Sequence, residues 1–108
     1  MSITIHILYR GAGGAPRAFA DEMVASGTVA AIRAEDGNEA YDYYVPLDDP
    51  EAVLLIDRWR DQAALDVHHA SPMMAKIAEL RDKHDLHMEV RRLTDLGEPA
   101  ADSAFIRR

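Results

Sequence analysis

The order in which hydrophobic periodicity changes along this chain constrains its fold more than any other feature. Alternating apolar and polar residues are typical of strands, and apolar residues three and four apart are typical of helices. On this basis the chain contains strand–helix–strand twice in succession, which predicts an α+β fold: a ferredoxin-like βαββαβ unit whose antiparallel sheet has both helices on one face. The predicted strands are residues 2–9, 41–47, 52–59 and 86–93, and the helical regions are residues 16–34 and 61–84.

Breaks and caps subdivide the two helical regions. Gly27 is expected to end or bend the first region, and Thr28 to cap a shorter second piece. Asp61 is expected to cap the second region. Within that region, Ser71 followed by Pro72 has the pattern of a fresh N-cap with proline at the first helical position.

The length of the chain, 108 residues, suits a single domain. We expect this domain to span residues 1–95. Residues 96–108 are expected to form a C-terminal tail, in which Phe105 and Ile106 are isolated apolar residues.

The predicted strand 52–59 indicates how the chain assembles. Its segment Val53-Leu54-Leu55-Ile56 is apolar on both sides, and a sheet with two apolar faces must cover both. The helices of one chain cover only one face. The simplest cover for the other is the sheet of a second copy, which predicts a homodimer through the sheet face.

Composition and charge exclude several classes of function. The net charge is −7, with 19 acidic against 12 basic residues, which argues against a nucleic-acid partner. The absence of cysteine excludes disulfides, thiolate metal sites and thiol catalysis. We expect no bound metal either, because the neighbours His68 and His69 diverge by about 100° on a helix and no HxxxH pattern occurs.

Targeting signals are not expected. The first nine residues lack a basic region and alternate in polarity, unlike a signal peptide. No apolar run approaches the roughly 20 residues of a membrane span, so no membrane partner is expected. Together with the lack of cysteine, these features predict a cytoplasmic location.

Three residues form the candidate catalytic group. Asp57 and Trp59 lie two apart on one strand and therefore face the same side. A helix packed over that side can bring His68 above them. A carboxyl, an indole and an imidazole around an apolar space suit an aromatic ligand, with the histidine as general base. The alternative is structural: Trp59 anchors the core, Asp57 is an edge acid, and His68 is a hydrogen-bonded, partly buried histidine.

Four further residues are predicted to contact the substrate: Asn38, Tyr41, His69 and Met73. Tyr41 shares a strand face with Tyr43, and one of these tyrosines can offer a hydroxyl to a substrate oxygen. Asn38 lies at a turn that can reach the mouth of a cavity. The alternatives are packing for the tyrosines, a left-handed turn for Asn38, and core filling for Met73.

The segment from residue 35 to residue 74 resembles the antibiotic biosynthesis monooxygenase family. The resemblance consists of an acid two residues before a tryptophan, an Ala-Leu pair shortly after it, and a histidine nine residues after it, followed by Ser-Pro. The family's usual acid is glutamate, where this chain has Asp57. The matching pieces are Glu35-Asp36-Gly37-Asn38 with Tyr41, Leu54-Leu55-Ile56-Asp57-Arg58-Trp59, Ala64-Leu65, His68 and Ser71-Pro72.

The resemblance implies a dimeric α/β barrel with a cavity between helices and sheet in each subunit. It also implies a monooxygenase that oxidises a small quinol-like or phenolic substrate with O2 and uses no cofactor, because the reduced substrate itself supplies electrons. By position, Trp59 and His68 would line the cavity. In such a reaction the protein contributes deprotonation, orientation and shielding from water.

Two other functions remain open from the sequence. The family includes heme-degrading enzymes, in which His68 would be the axial ligand. Those enzymes use an asparagine on the first strand, and residues 2–9 contain none. The other alternative is a non-catalytic stress-response module that binds a small aromatic molecule.

Overall fold

A computed structural model describes residues 1–108 and contains a four-stranded antiparallel sheet. The strand order is β2-β3-β1-β4, with β1 in the centre paired to β3 and β4. This arrangement confirms the predicted α+β, ferredoxin-like βαββαβ fold. The sheet is open and does not close into a barrel within one chain. The strands are β1 (Ile3–Arg10), β2 (Asn38–Tyr44), β3 (Ala52–Trp59) and β4 (His87–Leu93).

Each predicted helical region is split into two helices, at the predicted breaks. The tail additionally contains a 3-10 helix, Ala100–Phe105, whose residues are all exposed. None of the helices is both long enough and apolar enough to span a membrane. The helices are α1 (Ala15–Ala25), α2 (Thr28–Arg33), α3 (Gln62–His69) and α4 (Met73–Lys83).

The caps were predicted correctly at one of three positions. The Asp61 side chain accepts a hydrogen bond from the Ala64 N–H and caps α3. The predictions for Thr28 and Ser71 were wrong. Gly27, at φ 80°, is the N-cap of α2, and Thr28 already lies inside the helix. Before α4 the N-cap is Pro72, which already has helical dihedral angles, and the buried Ser71 hydroxyl makes no hydrogen bond.

The bounds predicted for β2 were shifted along the chain. The strand begins at Asn38 and ends at Tyr44, whereas residues 41–47 were predicted. Pairing with β3 sets these limits, because Asn38 lies opposite Trp59 and Tyr44 opposite Leu54. Pro46 lies beyond the strand and has no N–H for a ladder hydrogen bond.

The two faces of the sheet differ in what covers them. The helices cover the face that carries Leu55 and Trp59, and the main hydrophobic core lies between this face and the helices. The opposite face, which we call the open face, carries Leu8, Leu54 and Ile56, and no element of the chain packs over it. β3 is therefore apolar on both sides, as expected. The homodimer that this feature predicts stays a prediction.

Candidate active site

An apolar cavity of about 220 Å³ lies between the sheet and helices α3 and α4. Apolar side chains form most of its wall. An apolar protein cavity of about 150 Å³ holds benzene, so this volume suits an aromatic ligand of one or two rings. Its apolar floor and roof include Ile5, Ile7, Leu55, Leu65, Met74 and Ile77.

Asp57 is a buried acid in the wall of this cavity, with only 4% of its surface exposed. Its Oδ2 accepts a hydrogen bond of 2.7 Å from the indole N–H of Trp59. Its Oδ1 is buried and has no partner. Burial raises the pKa of Asp57, an effect that the Trp59 hydrogen bond and the nearby His68 partly offset. The site therefore shifts the proton equilibrium of Asp57 towards the neutral carboxyl group.

His68 is buried between Trp59 and Glu35 and forms another part of the cavity wall. Its ring stacks on Trp59, with centroids 4.5 Å apart and planes 27° apart. Its Nδ1 lies 2.9 Å from Oε1 of Glu35, and both side chains are largely buried. Because a carboxylate only accepts hydrogen bonds, it favours the tautomer with the proton on Nδ1, which leaves Nε2 as a proton acceptor.

Glu35 is a candidate functional residue that the sequence analysis did not identify. It belongs to the turn before β2, 33 residues from His68, and no spacing rule connects the two. Gly37 explains how the turn approaches α3. It has φ 85°, and a Cβ atom there would lie 2.5 Å from the Cβ of Ala64. Glycine at this position therefore lets the turn pack closely on α3.

Four of the seven predicted site residues lie in the cavity wall: His68, Asp57, Tyr41 and His69. Trp59 does not. It lies on the same side of the sheet but is fully buried beneath the His68 ring, so the expectation that it lines the cavity is not met. Its indole instead supports His68 by stacking and Asp57 by hydrogen bonding.

Asn38 and Met73 are not in the cavity wall either. The Asn38 side chain donates a hydrogen bond to the carbonyl of Ala40, beside an irregularity in the pairing of β2. Met73 packs against the core, and its neighbour Met74 reaches the cavity. Adjacent residues on a helix point about 100° apart, so the start of α4 decides which methionine faces the ligand space.

Two tyrosines bring hydroxyl groups to the wall. Burial raises the pKa of Tyr9 to about 12, against a smaller opposite effect of Arg81. Burial also raises the pKa of Tyr41. Both phenols therefore stay protonated and can act as hydrogen-bond donors, but they are poor bases.

Two arginines in the wall, Arg81 and Arg92, were also missed. Arg92 lies on the same face of β4 as Met88 and Val90, since residues two apart on a strand share a face. The alternation of β4 was therefore a signal that could have identified it. Met88 and Val90 remain 39% and 55% exposed, so this side of the cavity is open.

The fold and this site define a ferredoxin-like α+β protein whose apolar cavity holds a buried acid and a carboxylate-bound histidine. The model of the family described as antibiotic biosynthesis monooxygenase matches residues 2–80. The chain therefore belongs to the antibiotic biosynthesis monooxygenase family.

Solved structures support the same fold. PA3566 from Pseudomonas aeruginosa is 26% identical with a TM-score of 0.75, and the match covers 89% of this chain and 95% of that one. Rv0793 from Mycobacterium tuberculosis is 26% identical with a TM-score of 0.72, and the match covers 93% of this chain and 100% of that one. SnoaB from Streptomyces nogalater, a cofactor-independent oxygenase, is 19% identical with a TM-score of 0.75, covering 92% and 97%, which shows likeness of fold alone. No curated protein matches the chain in sequence.

Proposed function

We propose that this protein is a cofactor-independent monooxygenase that oxidises a small quinol-like or phenolic substrate with O2. The observation that carries the proposal is His68 in the wall of an apolar cavity, held from behind by Glu35 and beside a buried acid with a free oxygen. Membership of the monooxygenase family and the activity given for SnoaB support the type of reaction.

His68 acts as the general base in the proposed reaction. A phenol in the cavity gives its proton to Nε2, and Glu35 stabilises the resulting imidazolium. The phenolate passes one electron to O2, and the radical and superoxide combine into a peroxide on a ring carbon. His68 returns its proton to the peroxide. Loss of water then leaves a quinone, with one oxygen atom in the product, one in water, and all electrons supplied by the substrate.

Asp57 acts as an acid in the last step. When the O–O bond breaks, the leaving hydroxide takes the proton of the Asp57 carboxyl, and the C–H proton of the ring carbon restores it. Burial raises the pKa of Asp57, which favours the protonated carboxyl that this step needs. In the structure Glu35 contacts Nδ1, and Asp57 holds Trp59.

The assembly and location in this proposal come from the sequence. A second copy covers the open face and completes the dimeric barrel, because Leu54 and Ile56 share that face with Leu8. The cytoplasm remains the predicted compartment.

The test is oxygen uptake and product mass with a panel of quinols and phenols under isotopically labelled O2. The wild type should place one labelled oxygen atom in the product. His68→Ala should lower kcat by about 10²–10⁴-fold for neutral phenols. The loss should be smaller for phenols already ionised at the assay pH, because these need no base. His87→Ala, at an exposed histidine outside the cavity, is the matched control.

Three results would contradict the proposal. An unchanged rate for His68→Ala with neutral phenols would remove the base from the mechanism. Tight aromatic binding without oxygen uptake across the panel would favour the binding-module alternative. A heme absorption band on adding hemin, lost in His68→Ala, would favour the heme alternative.

A further inference from the structure

The cavity has opposite electrostatic character at its two sides. One row of residues crosses the sheet on the helix side: Asp57 on β3 pairs with Ile5 on β1, which pairs with Arg92 on β4. Neighbouring strands lie about 4.8 Å apart, so the backbones of Asp57 and Arg92 are separated by roughly 10 Å. The acid and the guanidinium therefore stand at opposite ends of an apolar floor.

The arginines on the β4 side have no carboxylate partner. Arg92 donates a hydrogen bond to the side-chain oxygen of Gln62, and Arg81 donates a weak one to the sulfur of Met88. Elsewhere, arginines such as Arg10 pair with acids at hydrogen-bond distance. The exposed Arg91 and Arg107 also lack a carboxylate partner, but Arg81 and Arg92 are the two that line the cavity of this chain with a net charge of −7.

The ligand that fits this arrangement has two unlike ends. The planar fork of arginine matches a carboxylate and binds it through two parallel hydrogen bonds. At the other side stand the acid Asp57 and, behind His68, the Glu35 carboxylate, and neither attracts an anion. An ionic group on the ligand is thus directed to β4, which turns the opposite end towards His68.

We propose that the substrate is an aromatic acid: a phenol or quinol of one or two rings whose carboxylate binds Arg92. Arg81, on α4, adds positive potential near β4. It contacts Met88, which pairs with Tyr9, two rows along this sheet face from the pair of Ile5 and Arg92. The carboxylate makes the orientation unique and places the hydroxyl at the Glu35–His68 pair. This inference rests on the proposed function for the identity of the reacting group.

The test compares two probes that differ by one group. These are a naphthol and the hydroxynaphthoate with its carboxylate on the ring opposite the hydroxyl. Calorimetric titration of the full chain should give a Kd at least about 10-fold lower for the hydroxynaphthoate, a preference that weakens as salt is added. Arg92→Gln should remove most of this preference by raising the hydroxynaphthoate Kd far more than the naphthol Kd, and should leave the far-UV spectrum as in the wild type.

Arg107→Gln is the matched control, because Arg107 is an exposed tail residue outside the cavity wall and the variant changes the net charge equally. It should leave both Kd values unchanged. Equal affinity of the wild type for the two probes would overturn the inference. So would an equal loss of the preference for the hydroxynaphthoate in Arg92→Gln and Arg107→Gln.

Oxygen uptake separates this inference from the proposed function. A carboxylate preference that depends on Arg92, without oxygen uptake, would support the anion site and contradict the oxygenase. Oxygen uptake with neutral naphthols but no preference for the acid would support the oxygenase and contradict the anion site.

Discussion

Replacing Asp57 by asparagine should make the protein more stable at neutral pH, although it removes a residue of the proposed site. The carboxyl is 4% exposed, and its Oδ1 has no hydrogen-bond partner. Asparagine has nearly the same shape, carries no charge, and can still accept the hydrogen bond of Trp59. The substitution therefore removes the free-energy cost of burying an acid that is ionised in the unfolded chain, while preserving the packing.

The asparagine NH2 takes the place of Oδ1 and has no partner either, so the gain comes only from removing the ionisable group. A buried acceptor left unsatisfied costs about 1–3 kcal/mol, and more when it is charged. For a domain near this size, each kcal/mol changes Tm by about 4–8 °C. An excess of about 1 kcal/mol for a charged over a neutral group predicts that Asp57→Asn raises Tm at pH 7 by about 4 °C, while oxygen uptake falls.

The effect should depend on pH in one direction. Burial raises the folded-state pKa of Asp57, so the folded protein holds this proton more tightly than the unfolded chain. The stabilising contribution of Asp57 is full below its unfolded pKa and is lost as pH rises through the folded pKa. The advantage of Asp57→Asn should thus be near zero in acid and grow as pH increases.

Thermal unfolding from acidic to neutral pH, at one protein concentration, measures this difference. Asp82→Asn is the control, because Asp82 is exposed on α4 and forms no ion pair. Its unfolding free energy should stay within about 0.5 kcal/mol of the wild type at every pH. If Asp57→Asn were no more stable than the wild type at pH 7, the argument from the buried charge would be wrong.

Two further predictions concern the base and the dimer. Glu35→Gln should lower kcat/KM for neutral phenols by about 10–100-fold, the value of one charge-assisted hydrogen bond, and by less for ionised phenols. Steady-state oxygen uptake measures kcat/KM, and equal losses for both kinds of substrate would contradict the role of Glu35. Ile56→Lys should sediment as a monomer, whereas Val67→Lys, at an exposed position on α3, should stay a dimer. A dimeric Ile56→Lys variant or a monomeric wild type would refute the open-face interface.

The sequence was sufficient for the features that depend on local periodicity. The bounds of β3 were predicted as observed, because its apolar residues and the turns around it lie within a few positions of each other. The common face of Asp57 and Trp59 followed from the two-residue period of a strand. Gly27 broke the first helical region for an equally local reason, since its positive φ favours glycine.

Features that depend on pairing between distant segments were predicted less well. The limits of β2 were shifted because the partner strand determines where pairing ends. Met73 was chosen over Met74 because the first residue of α4 decides the direction of both side chains. Ser71 does not cap α4 for the same reason. The helix begins at Met73, one residue later than the Ser71-Pro72 pattern predicted.

The tertiary structure alone decided the chemistry of the site. The contact between Glu35 and His68 exists because a turn and a helix that are far apart in sequence pack closely at Gly37 and Ala64. Arg92 reaches the cavity because the last strand pairs with the first. Periodicity determines which face a side chain takes within its own element, but the neighbours it meets depend on how the elements pack.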